Sequence, residues 1–160
     1  MKQLLIIIML LMSKMGIGQT SSLQELLRQY LDLKNQLVES NAVNAQKSAT
    51  TLNGKIENLA AQALSEKEAK AFASFKDALS KHAKELSSQS DLAKQRVSFA
   101  GLSQSMIDLF KVVSVKETSL YVDYCPMKKA YWLSTEKTIR NPYYGNAMLS
   151  CGSIKETIKE

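Results

Sequence analysis

From Leu23 to Val113 apolar side chains return every three or four positions, and no proline interrupts them. That period matches the α-helical turn and not the two-residue alternation of a strand. Capping signals divide the run into four. Ser22 and Glu25 have capping-box spacing, as do Ser65 and Glu68, while Ser40-Asn41 and Ser90-Asp91 mark two further starts. The first helix turns Leu23, Leu26, Leu27, Tyr30 and Leu31 inward, continuing to Leu37 and Val38. The second uses Ala42, Ala45, Ala49, Leu52, Ile56, Leu59 and Ala63; the third Phe72, Phe75, Leu79, His82 and Leu86. In the fourth, Leu92, Phe99, Leu102, Met106, Leu109 and Val113 face inward. Short connections between long helices predict an all-α fold, an up-down-up-down four-helix bundle over residues 19–116.

Composition changes near Lys116. Beyond it lie both prolines, most of the tyrosines and the only tryptophan. Leu120 to Tyr124 alternates like a short strand, and Ala130 to Leu133 suits a partner across a turn at Pro126. Ser134 to Ile139 is expected to make one helical turn, with further turns at Asn141-Pro142 and Gly145. Such a segment cannot bury its aromatics alone, so residues 117–160 are expected to cap the bundle.

The N-terminus has the three parts of a secretion signal. Lys2 opens it, Leu4 to Met12 is unbroken apolar, and Gly16 and Gly18 supply small residues, placing cleavage after Gly18. The apolar run is shorter than the roughly 20 residues of a membrane-spanning helix, and Lys14 follows it. Residues 1–18 are therefore expected to be removed, leaving residues 19–160 as one domain, periplasmic or secreted, without stable membrane insertion. Losing Lys2 and Lys14 takes the net charge from +6 to +4. The excess is spread through amphipathic helices, with no dense basic block interleaved with aromatics, which argues against nucleic acid.

The chemistry-bearing residues gather in the tail. Cys125 and Met127 flank Pro126, and Met148 and Cys151 stand three apart, the spacing of one helical turn. Thiolate and thioether are soft donors that select Cu(I). His82, the only histidine, occupies a seam position that the pattern assigns to an apolar residue, and it is a candidate fifth donor; the alternative is a packed histidine satisfied by one hydrogen bond. Arg96 beside the fourth stripe either extends its head to water or pairs with an acid under the cap. Met106 reads as core filler. In an exported chain the competing reading of two cysteines is a structural disulfide, here closing a loop of about 25 residues. The chain is not expected to be an enzyme: it has no Cys-x-x-Cys, no recognisable Ser/His/Asp set and no phosphate-binding glycine loop.

The segments VDYCPM, AYWLSTEKTIRNPYYGNAMLSCG and KHAKELSSQSDLAKQRVSFAGLS resemble domain of unknown function family 3347 (DUF3347), over nearly the whole mature chain. The motif residues of that resemblance are His82, Arg96, Cys125, Met127, Trp132, Asn141, Pro142, Tyr143, Gly145, Met148, Cys151 and Gly152. Domains of this kind occur free-standing in exported Bacteroidetes proteins and appended to adaptors similar to copper/silver efflux subunits. The resemblance thus implies heavy-metal handling, with a copper ion as ligand and a periplasmic efflux component as partner. This chain departs from the appended form in carrying no adaptor domain.

Overall fold

The computed structural model describes residues 22–113, 115 and 119–159. The predicted signal segment lies outside them, and so does the Ser22 side chain with the first capping box. Four helices come first: α1 (Ser22–Val38), α2 (Ala42–Asn58), α3 (Glu66–Ser88) and α4 (Leu92–Val112). Three of them begin where a short polar side chain accepts a free first-turn N–H. Asn41 accepts from Asn44, Ser65 and Glu68 close a complete capping box, and Asp91 accepts from Lys94. α1 ends in a Schellman turn in which Asn41 N–H donates to Gln36 C=O and Ser40 N–H to Leu37 C=O. Ser40 sits there at φ +58°, a position glycine usually takes. α2 stops at Asn58, so the stripe drawn on to Ala63 overruns it; Ala61–Ala63 form a separate 3-10 turn with Ala63 exposed.

Each helix packs chiefly on the next in sequence, α1 on α2, α2 on α3, α3 on α4. Leu26, Leu37, Ala45, Leu52, Ile56, Leu79, Leu86, Phe99, Leu102 and Met106 are fully enclosed, as their spacing predicts. α4 is central, with α3 on one side and the strand Ala130–Ser134 on another. Hence Ser103, Ile107 and Phe110 are buried as well as the expected seam, the pattern of a helix covered nearly all round.

The domain is mainly α but not all-α. A three-stranded antiparallel sheet follows the helices: β1 (Leu120–Cys125), β2 (Ala130–Ser134) and β3 (Ser153–Ile158), in the order β2-β1-β3. The expected hairpin forms, Cys125 facing Ala130 and Tyr121 facing Ser134. β3 has no counterpart in the sequence reading, because its residues are mostly polar and five of the six are exposed. The helical turn expected from Ser134 does not form. Ser134 closes β2, and its hydroxyl accepts from Glu136 N–H and turns the chain.

Tyr30 joins the sheet to the bundle. Its ring is enclosed in α1 and stacks on Phe99 of α4, centroids 5.5 Å apart. Its hydroxyl shares a 2.7 Å hydrogen bond with Ser103 and receives the N–H of Leu133 on edge strand β2 at 3.1 Å. Among the described residues no helix is long and apolar enough to cross a membrane.

Replacing Tyr30 by Phe keeps the ring and strands two buried polar groups, so stability in urea should fall by about 1–3 kcal/mol. Amide exchange at Leu133 should accelerate more than at Leu86; equal acceleration at both would mean that the hydroxyl does not hold the strand.

Candidate functional site

Cys125 and Cys151 meet at one end of the sheet. The β1–β3 ladder pairs Tyr124 with Ser153, which carries the residues just beyond, Cys125 on one strand and Gly152 and Cys151 on the other, to the same rim. Both cysteines are free thiols, Cys125 buried and Cys151 half-buried. The Cys151 thiol is pushed above its ordinary pKa, first by burial and then by the charge of Cys125 and a hydrogen bond with it. Across the hairpin turn, Lys128 N–H donates to Cys125 Sγ at 3.4 Å.

The segment before Cys151 is held by a buried amide. Asn141 donates through Nδ2 to Cys151 C=O at 2.7 Å, and its Oδ1 accepts Tyr143 N–H at 2.8 Å. Gly152 follows at φ +148°, where a Cβ would come within 2.9 Å of both Trp132 Cη2 and the Tyr124 carbonyl oxygen. Only glycine lets the chain pass over the indole there. Trp132 meets Tyr143 edge-on at 6.0 Å, and Tyr143 meets Phe99 at 5.8 Å, so an aromatic relay ties the rim to α4. Arg96 completes the anchorage: its Nε donates to Pro142 C=O, and its Nη2 donates to Leu37 C=O and Ser40 Oγ. It therefore pairs with neutral oxygens under the cap, and its pKa is lowered by burial.

The methionines do not join the buried cluster. Met127 is 62% exposed at the hairpin tip and Met148 is 40% exposed three residues before Cys151. His82 is not brought to the sulfurs. Its ring lies flat on α4, where a Cβ at Gly101 would meet ring atoms at 2.5 Å, and its Nδ1 faces Glu85 at 3.2 Å. Gly101 is two residues from both Phe99 and Ser103, about 200° round the helix, and those two meet Tyr143 and Tyr30. α4 thus stands between the imidazole and the tail. Among the described residues no three His, Cys, Asp or Glu side chains converge as a metal-binding group.

Asp123 went unrecognised in the sequence. It lies two residues before Cys125 on β1, is fully buried opposite Trp132, and neither carboxyl oxygen has a hydrogen-bond partner. Burial pushes its pKa up to about 7, against the attraction of Lys34. Lys34 is itself buried; burial lowers its pKa, while Glu136 and Asp123 pull it up and Arg140 pushes it down. The one sequence signal was an acid inside the otherwise apolar and aromatic run Leu120 to Tyr124.

A family model described as "Protein of unknown function (DUF3347)" matches residues 26–118, more than half of the chain. It takes in all but the first turn of α1 and the whole of α2, α3 and α4, and ends just before β1, so the cysteine-bearing tail lies beyond the matched stretch. No curated protein and no solved structure matches the chain.

Two outcomes follow from this geometry. Iodoacetamide should modify Cys151 well before Cys125, as timed quenching and peptide mass mapping would record, and equal rates would mean that the rim does not shield Cys125. Asp123 holds its proton more tightly folded than unfolded, so stability should fall as pH rises from about 4 to about 7 and then level off. Asp123→Asn should abolish that fall and be about 1–3 kcal/mol more stable than the parent at alkaline pH; urea titrations at several pH values decide it.

Proposed function

We propose, from the premise that the chain belongs to the DUF3347 family of unknown function, that it is an exported protein which binds Cu(I) to buffer or deliver it. Cys125 and Cys151 supply the thiolate pair, and Met127 and Met148 supply thioethers from the rim. The observation that carries this reading is the meeting of two free thiols, each with an exposed methionine two or three residues away along the chain and, among the described residues, no third His, Cys, Asp or Glu converging with them. That donor set suits a soft monovalent ion and lacks the four Cys, His or carboxylate ligands of a structural zinc site. Binding releases thiol protons, so affinity falls at low pH, the more so because the Cys151 pKa is raised. We place the protein in the periplasm or outside the cell and take a periplasmic efflux component as its exchange partner. We assign it no catalytic role.

The same proximity supports a second reading, in which Cys125 and Cys151 form a structural disulfide and the Tyr/Trp cap binds a partner without metal. A bridge closing about 25 residues is worth roughly 3 kcal/mol in the chain-entropy view.

Titration of the reduced protein with Cu(I) against a chromophoric chelator separates the two. The parent should take up one equivalent. Cys125→Ser/Cys151→Ser should lose more than the roughly 10–100-fold that removal of an outer-shell partner costs, Asn141→Ala should fall within that range, and His82→Ala should change nothing. Equal weak binding by the parent and the double variant would end the copper reading, and a quantitative disulfide in freshly isolated metal-free protein would favour the other.

A further inference from the structure

We infer that a pocket beside the thiol rim is an oxyanion site, taking a carboxylate or phosphate group between Arg96 and Lys128. The pocket encloses about 270 Å³ and is lined by Ala93, Arg96, Lys128, Tyr143 and Tyr144. Two of the five are permanent cations and none is acidic. Arg96 satisfies neutral oxygens only, the carbonyls of Pro142 and Leu37 and the hydroxyl of Ser40. Among the described residues neither Arg96 nor Lys128 has a carboxylate within ion-pair distance, whereas Arg28, Lys55, Lys76, Lys84 and Lys111 each have one. A half-buried guanidinium without a counter-charge is costly to keep, and with Nε and Nη2 already donated to neutral oxygens its Nη1 N–H groups are left to meet an oxygen of a carboxylate or phosphate. The volume admits a small oxyanion or the end of an acidic side chain.

The pocket touches both thiol-bearing segments. Lys128 donates its own N–H to Cys125 Sγ. Arg96 grips Pro142 C=O, next to the Asn141 that holds Cys151 C=O. An anion seated there draws together the hairpin turn and the Asn141 loop. The inference concerns the metal-free protein and stands whether or not copper binds.

The test uses the reduced, metal-free full domain in amide and guanidinium NMR at a constant ionic strength of about 0.1 M, which holds screening fixed. Chloride is exchanged stepwise for acetate in one series and for inorganic phosphate in another. Saturable movement of the Arg96 Nε–H signal in acetate identifies an acidic side chain as the natural occupant, and saturation in phosphate alone identifies free phosphate. Lys128→Glu, a change in an exposed turn outside the Arg96 anchorage, should weaken the saturating anion by about tenfold or more, the loss of one charge-assisted contact. It should also leave the thermal midpoint near that of the parent. Arg96 signals that stay still in both series, or that move identically in the Lys128→Glu protein, overturn the inference.

Discussion

The Tyr30 hydroxyl is the contact on which the arrangement of the two layers depends. A four-helix bundle normally closes α1 against α4 along their length, but here those helices touch little and the stacked rings of Tyr30 and Phe99 bridge them. Edge strand β2 then uses that bridge, its Leu133 N–H donating to the tyrosine oxygen. An edge N–H buried against a helix needs an acceptor, and an aliphatic residue at position 30 offers none. The phenol solves two problems with one side chain, apolar contact within the bundle and a polar end for the sheet. Its pKa is raised, burial being the largest cause, so the hydroxyl stays neutral and keeps both bonds.

The tail is long and irregular between β2 and β3, and polar contacts hold it where apolar ones are few. Arg96 and Asn141 bind backbone carbonyls at opposite ends of the Asn141–Cys151 loop. Carbonyl partners suit a segment whose path matters more than its side chains, because each bond sets backbone position directly. Gly145 packs under the same guanidinium, where a Cβ would lie 2.8 Å from Arg96 Nη2 and 2.5 Å from Ser40 Oγ. The left-handed Ser40 at the end of α1 thereby becomes part of the tail's seat.

Much of the helical layer was legible in the sequence, because a 3.6-residue stripe and an Asn, Ser or Asp cap are local signals. The β1–β2 hairpin was legible for the same reason, Leu120 to Tyr124 alternating and Pro126 breaking the run. β3 was not. Ser153 to Ile158 mixes lysine and glutamate with β-branched residues and buries none of them fully, so no apolar pattern announces a strand that exists through its ladder with β1. The thiol pair depended on that unseen strand, since the β1–β3 register is what returns Cys151 to Cys125. His82 misled for the opposite reason. Its position on the stripe was right, but the stripe faces Gly101, and a missing side chain on a neighbouring helix leaves room for a ring that a seam of leucines would have excluded.

The depth of the two sulfurs decides what the rim can do chemically. Cys125 is enclosed by strand and turn, while Cys151 stands at the boundary with solvent beside Met148. In the proposed copper reading, Met127 and Met148, weak and exposed donors, would be the ones given up first to an incoming ligand, and Cys151 would be the more accessible of the two thiols. In the disulfide reading the same asymmetry makes the Cys151 sulfur the one open to attack, with the buried Cys125 as leaving group, stabilised by the Lys128 N–H. One inner and one outer thiol thus give direction to either chemistry, and that direction comes from the β1–β3 register and the Asn141 contact, not from the spacing of the cysteines along the chain.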